Sequence, residues 1–101
     1  MHNEFSIPHQ VFESSKFKGL RISSKLLYCY FAKLRNRYAD KEGWFWRDEQ
    51  TISDDTRMHR NTIEKAKKEL KKAEFIEVKR GHYQSTGHRG ADHIRLNGYL
   101  R

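Results

Sequence analysis

The chain has 101 residues with one proline, six glycines and one cysteine, the size of a single domain and too short for two. Lysine and arginine number 21 against 13 aspartate and glutamate, a formal net charge of +8, and Leu, Ile, Val and Phe supply 21 residues, so a small core is available with little to spare. No apolar run reaches the roughly 18 residues of a membrane span, and Met1-His2-Asn3-Glu4-Phe5-Ser6 lacks a signal-peptide pattern.

Cys29 is the lone cysteine, so no internal disulfide forms and the chain reads as cytoplasmic. A basic domain in that compartment points to a polyanionic partner, nucleic acid first. The charge is also local. Residues 23–56 carry six groups of each sign, whereas residues 57–80 carry nine basic and four acidic ones.

In chain order, Phe5 to Gln10 reads as extended, with Pro8 limiting helix there. Val11 to Phe17 suits one or two helical turns before Gly19. Ser23 or Ser24 is an N-cap candidate for the helix that follows. Leu26, Leu27, Tyr30, Phe31, Leu34 and Tyr38 then recur as one amphipathic face, and that helix is expected to end near Asp40. Trp44-Phe45-Trp46 suits a short strand. Asp48 is a second N-cap, with Glu49 and Gln50 in the first turn of a short helix ending near Thr56. A tight turn through Arg57-Met58 leads to a third helix from about His59 to Ala73. Phe75 to Lys79 and His93 to Leu96 alternate like paired strands, joined by a loop from Gly81 to Gly90.

The segment from Thr51 to Ile63 thus predicts two helices meeting at a three- to four-residue turn. Ile52, Met58 and Ile63 are its apolar posts, and small Ser53 allows close approach. With a hairpin after the third helix, residues 23–97 resemble the winged helix-turn-helix family, which implies an α+β, mostly α, fold: a three-helix core with a C-terminal β-hairpin wing. The run Thr62-Ile63 through Lys68-Glu69-Leu70 to Ala73-Glu74-Phe75-Ile76 resembles that family's recognition helix and its approach to the wing. Arg57 stands where the family's turn favours Gly, and His59 where its recognition helix favours a Ser or Thr cap.

Within the family, Phe5-Ser6-Ile7-Pro8 with Phe12, Ile22-Ser23-Ser24-Lys25-Leu26-Leu27-Tyr28 and Gly43-Trp44 resemble the N-terminal DNA-binding domains of Gram-positive plasmid and phage replication initiators. That resemblance implies double-stranded DNA as partner and a use in replication initiation or its control. Such initiators usually continue into a further domain. Transcriptional repression by the same fold is the near alternative.

At about 100° per residue, Ile63, Ala66, Leu70 and Ala73 share an arc toward the body, and Asn61, Glu64, Lys65, Lys68 and Lys72 share the opposite one. Arg60 and Asn61, at the leading end with the cap residue His59, are the candidates for base contacts, and Glu64 for cytosine. Lys65, Lys68 and Lys72 suit phosphates, as does Thr62 with the first helical N–H groups. In the wing, Lys79 and Arg80 suit the backbone, and His88 and Arg89 at the tip suit a narrow minor groove.

Plainer readings stand beside these. Lysines on an outer helix face are commonly just solvated, although here the charge is one-sided and lies in a motif. Trp44, Phe45 and Trp46 suit core and wing-base packing before stacking on single-stranded bases. His82, His88 and His93 lack further ligands at metal spacing. Cys29 belongs on an apolar helix face rather than at a nucleophilic centre, and Asp54 and Asp55 diverge along their helix. No enzyme, metal site or cofactor is therefore expected.

Residues 1–22 read as an extension packing on the domain of 23–101 or on a partner. Phe5, Ile7, Val11, Phe12 and Phe17 leave open a homodimer, or an interaction module with weak, non-specific DNA binding; replication proteins are further candidate partners.

Overall fold

A computed structural model describes residues 13–82 and 89–97, apart from the side chains of 80–82 and 89–91. The extended segment expected over Phe5–Gln10, the start of the helix expected at Val11 and the wing tip from Tyr83 to His88 lie outside the described residues. In chain order the elements are α1 (Ser15–Lys18), α2 (Ile22–Tyr38), β1 (Trp44–Trp46), α3 (Glu49–Thr56), α4 (Arg60–Lys72), β2 (Ile76–His82) and β3 (Arg89–Leu96). The three strands form one antiparallel sheet in the order β1-β3-β2. Helices α2, α3 and α4 with the β2–β3 hairpin make the winged helix-turn-helix.

Local capping sets most of these boundaries. Ser14 accepts the Phe17 N–H at 3.1 Å and starts α1, which begins at Ser15. Asp48 accepts the Thr51 N–H at 2.7 Å and starts α3. Helix α4 closes in a Schellman motif: the Phe75 N–H donates to the Leu70 carbonyl, the Glu74 N–H to that of Lys71, and Glu74 takes φ 67°. Both Leu70 and Phe75 are buried, which gives the motif its hydrophobic contact.

Helix α2 departs from expectation at both ends and in its buried face. It starts at Ile22, before either Ser23 or Ser24. Neither serine caps it; Arg21 is the N-cap residue, and its own N–H donates to Glu69 of α4 at 3.2 Å. Ser24 is therefore free to lie fully buried inside the helix, donating to the same carboxylate at 2.5 Å. At the far end α2 stops at Tyr38. Asp40 instead builds the turn into β1, accepting the N–H groups of Glu42 and Trp44.

The buried face of α2 is Leu27, Tyr28, Phe31, Ala32 and Leu34, whereas Leu26 and Tyr38 remain 47% and 56% exposed. The face turns because α1 and the loop after α4 supply partners that periodicity does not reveal. Phe17, Tyr28 and Phe75 pack edge-on, with centroids 5.6–5.9 Å apart. On the other side Phe31 meets Phe45 of β1 at 5.9 Å. Ile52, Ile63, Ala66, Leu70, Ile76, Ile94 and Leu96 complete the core.

The sheet alternates cleanly. Phe45, Ile94 and Val78 form an inward row, and Trp44-Arg95-Glu77 and Trp46-His93-Lys79 form two outward rows. Between Lys79 and Gly81 the register slips, two steps on β2 matching three on β3. No helix among the described residues is long and apolar enough to cross a membrane.

Candidate nucleic-acid interface

The turn between α3 and α4 is built from backbone strain and short polar links. Arg57 adopts the left-handed region at φ 62° and ψ 20°, the position where a glycine has no Cβ penalty. Its N–H donates to the Ser53 carbonyl at 2.8 Å. The Ser53 hydroxyl donates to the Met58 carbonyl at 2.6 Å, so this small residue clips the turn as well as leaving room for it. Thr56 donates to the Ile52 carbonyl and accepts the Met58 N–H. His59 caps α4 through ring nitrogen Nδ1, which accepts the Asn61 N–H at 3.1 Å. A ring nitrogen thus does the work expected of a Ser or Thr hydroxyl.

Ile63, Ala66 and Leu70 of α4 are buried, and Ala73 packs against the same core. Asn61, Glu64, Lys65, Lys68 and Lys72 are all exposed, together with Arg60 and Lys71; Thr62 is half-buried. The two arcs divide as the 100° spacing requires.

Apart from Glu64, the carboxylates around α4 sit on the seam between those arcs. Glu49 of α3 lies 3.9 Å from the Arg60 guanidinium and 3.5 Å from the Lys67 ammonium. Asp92 of β3 approaches Lys67 from the other side at 3.5 Å. Lys67 thereby ties α4 to both α3 and the wing. Glu69 ties it to α2 through Arg21 and Ser24, and these contacts, led by the Ser24 hydroxyl, hold its carboxyl below the usual carboxylate range.

With those acids engaged, Lys65, Lys68, Lys71 and Lys72 carry no ion pair among the described residues. The outer arc is a cationic surface broken only by Glu64.

Lys67 and Glu69 were not among the residues singled out from sequence. Lys67 follows Ile63 by one helical turn, next to the apolar seam, which is the one signal that could have marked it. Nothing local marks Glu69, whose partners lie 45 and 48 residues away.

In the wing, Lys79 is exposed with its ammonium 5.2 Å from the centre of the Trp44 ring. Arg95 stacks its guanidinium on the same indole at 4.8 Å and grips Glu77 through two bonds of 2.9 and 3.0 Å. The side chains of Arg80 and Arg89, and all of His88, lie outside the described residues.

The remaining sequence candidates separate. Asp54 and Asp55 diverge, Asp54 accepting from Gln50 and Asp55 from the Tyr30 hydroxyl at 2.5 Å. Burial, then the bond to Asp55, pushes the Tyr30 phenol up. Burial likewise raises the half-buried Cys29 thiol, away from a reactive thiolate. Among the described residues no three His, Cys, Asp or Glu side chains converge on a metal position.

Two solved structures share this architecture. "Structure of Rep-DNA complex" superposes with a TM-score of 0.69 at 18% identity, covering 96% of this chain and 76% of that one. "N-Terminal domain of DNA binding protein" gives 0.68 at 18% identity over the same shares. The chain has the fold of these DNA-binding domains. At this identity the likeness is one of fold, and the side chains that meet a ligand are its own. No protein-family model and no curated protein sequence matches the chain.

Proposed function

We propose that this chain is a sequence-specific reader of double-stranded DNA with no catalytic role, acting in the cytoplasm in plasmid or phage replication initiation or its control. The observation that carries the reading is the outer arc of α4, where Lys65, Lys68, Lys71 and Lys72, without an ion pair among the described residues, stand behind Asn61 at the leading end of the helix. The replication role draws its support from the shared fold with a Rep–DNA complex.

Helix α4 enters the major groove leading end first. Asn61 offers the amide pair that matches adenine, and Arg60, released from its exposed contact with Glu49, the fork that matches guanine. Glu64 accepts from cytosine. Lys65, Lys68 and Lys72 meet phosphates and set register without reading sequence. Because His59 occupies the Asn61 N–H, the Arg60 and Thr62 N–H groups of the first turn remain for a phosphate, with the Thr62 hydroxyl beside them. Lys79 meets the backbone from the wing, joined by Arg80, while His88 and Arg89 reach the minor groove.

Selection from a random duplex library tests this. A preference of roughly a thousandfold over a scrambled duplex near physiological salt is expected. Equal affinity for both duplexes, fading steeply with salt, would overturn the sequence-specific reading. An inverted repeat with half-sites about one helical turn apart would mark a homodimer on DNA.

A further inference from the structure

We propose that the outward face of the sheet, centred on Trp46, is a second nucleic-acid site that takes a single strand. Trp46 is 51% exposed although it lies within a strand, and among the described residues no other ring or cation covers its indole. Trp44, two residues earlier, differs: its ring is occupied by Arg95 and Lys79.

The cross-strand row fixes the chemistry around the free indole. Trp46 pairs with His93, and His93 with Lys79, so an indole, an imidazole and a lysine share one cross-strand row, the lysine ammonium leaning toward Trp44 at the edge of it. Nitrogen Nδ1 of His93 is buried with no hydrogen-bond partner among the described residues. The carboxylate in the neighbouring row, Glu77, is held by Arg95, and Lys79, whose ammonium lies over Trp44, has no ion pair among the described residues. The face therefore complements an anion that also carries flat π-surfaces.

A duplex presents only base edges and cannot stack on an indole, whereas an unstacked strand exposes base faces between phosphates. The arrangement fits one base on Trp46 with the adjoining phosphate toward Lys79. It is centred on Trp46 of the sheet rather than on α4 and shares only Lys79 with the proposed duplex surface, so it does not rest on the duplex reading.

The test titrates the full chain with an oligothymidine of about 12 nucleotides, within ordinary single-strand site sizes, following tryptophan fluorescence, and with a random duplex in parallel. Quenching by the oligonucleotide is expected. Trp46→Ala should weaken single-strand binding about 5- to 100-fold and leave duplex affinity in place, and Trp46→Phe should restore most of the loss. Lys68→Ala should do the reverse, weakening duplex binding and sparing the single strand.

Absence of oligonucleotide binding, or a Trp46→Ala variant that loses neither ligand or both equally, would overturn the proposal. So would an oligonucleotide-independent self-association abolished by Trp46→Ala, which would make the face a protein-docking surface. Should Trp46→Ala fail to fold, photocrosslinking of the wild-type chain to a bromodeoxyuridine oligonucleotide decides. A crosslink on Trp46 supports the site, and crosslinks confined to other residues overturn it.

Discussion

Helices α2 and α4 pack against each other yet divide their labour. Helix α2 buries a broad face of large side chains, with Tyr28 and Phe31 fully enclosed, and contacts α1, α4 and the sheet. Helix α4 is held by a narrow seam of Ile63, Ala66 and Leu70 and by two charged ties at Lys67 and Glu69. A small apolar seam leaves most of the circumference free for cations, and the ties fix its orientation from the edges. Wide burial suits a frame, whereas α4 keeps a clear outer face on a rigid mount, as the proposed reading of DNA requires.

The sharpest way to break that division is to hollow out the frame. Phe31→Ala should cost about 3–5 kcal/mol, because a fully buried ring leaves a cavity; urea denaturation measures it. Any protein still folded should keep its base preferences.

On the reading side, Asn61→Ala should relax selection at one base position by about 1–3 kcal/mol while leaving the urea midpoint nearly unchanged. Lys68→Ala is its counterpart, weakening every duplex and reducing the salt slope by about one. Binding that ignores both substitutions would mean that the outer arc does not face DNA.

The mount is tested at Glu69. Removing its carboxylate leaves the buried Ser24 hydroxyl unpaired, so Glu69→Ala should cost about 1–3 kcal/mol at neutral pH. Its folded-state pKa is lowered, so its contribution is present above the usual value of 4.5 and is lost as pH falls through the folded value. The gap in stability between wild type and Glu69→Ala should therefore close on acidification, as pH-dependent thermal melts would show. A gap independent of pH would mean that the carboxylate charge is not what holds α2.

The smallest expected effect is a gain. Glu74→Gly relieves a left-handed residue at the C-terminal cap of α4, far from the outer arc, and should raise stability by up to about 1 kcal/mol. Duplex affinity should not change.

Much of α4 and its surroundings was legible because the signals are local. The Asp48 cap, the apolar spacing of Ile63, Ala66 and Leu70, and the alternation through Ile76–Val78 and Ile94–Leu96 each act within a few residues. Arg57, which the family resemblance sets at a glycine-favouring turn position, takes the left-handed conformation there. The misreadings fall where a distant group intervenes. Ser23 and Ser24 read as caps, but the helix starts before them and Ser24 donates to Glu69 of α4 instead. Leu26 and Tyr38 fitted the apolar repeat, but Phe17 and Phe75 drew Tyr28 inward instead.

Sequence alone thus determined the helix-turn-helix, the wing strands and the side of α4 that carries charge, since spacing along a helix or strand dictates which residues share a face. Tertiary structure alone decided which lysine is drawn inward, which acid anchors α4 and which tryptophan stays exposed. Those outcomes depend on partners brought together from dozens of residues away, and the burial and pairing they create do not exist until the elements have packed.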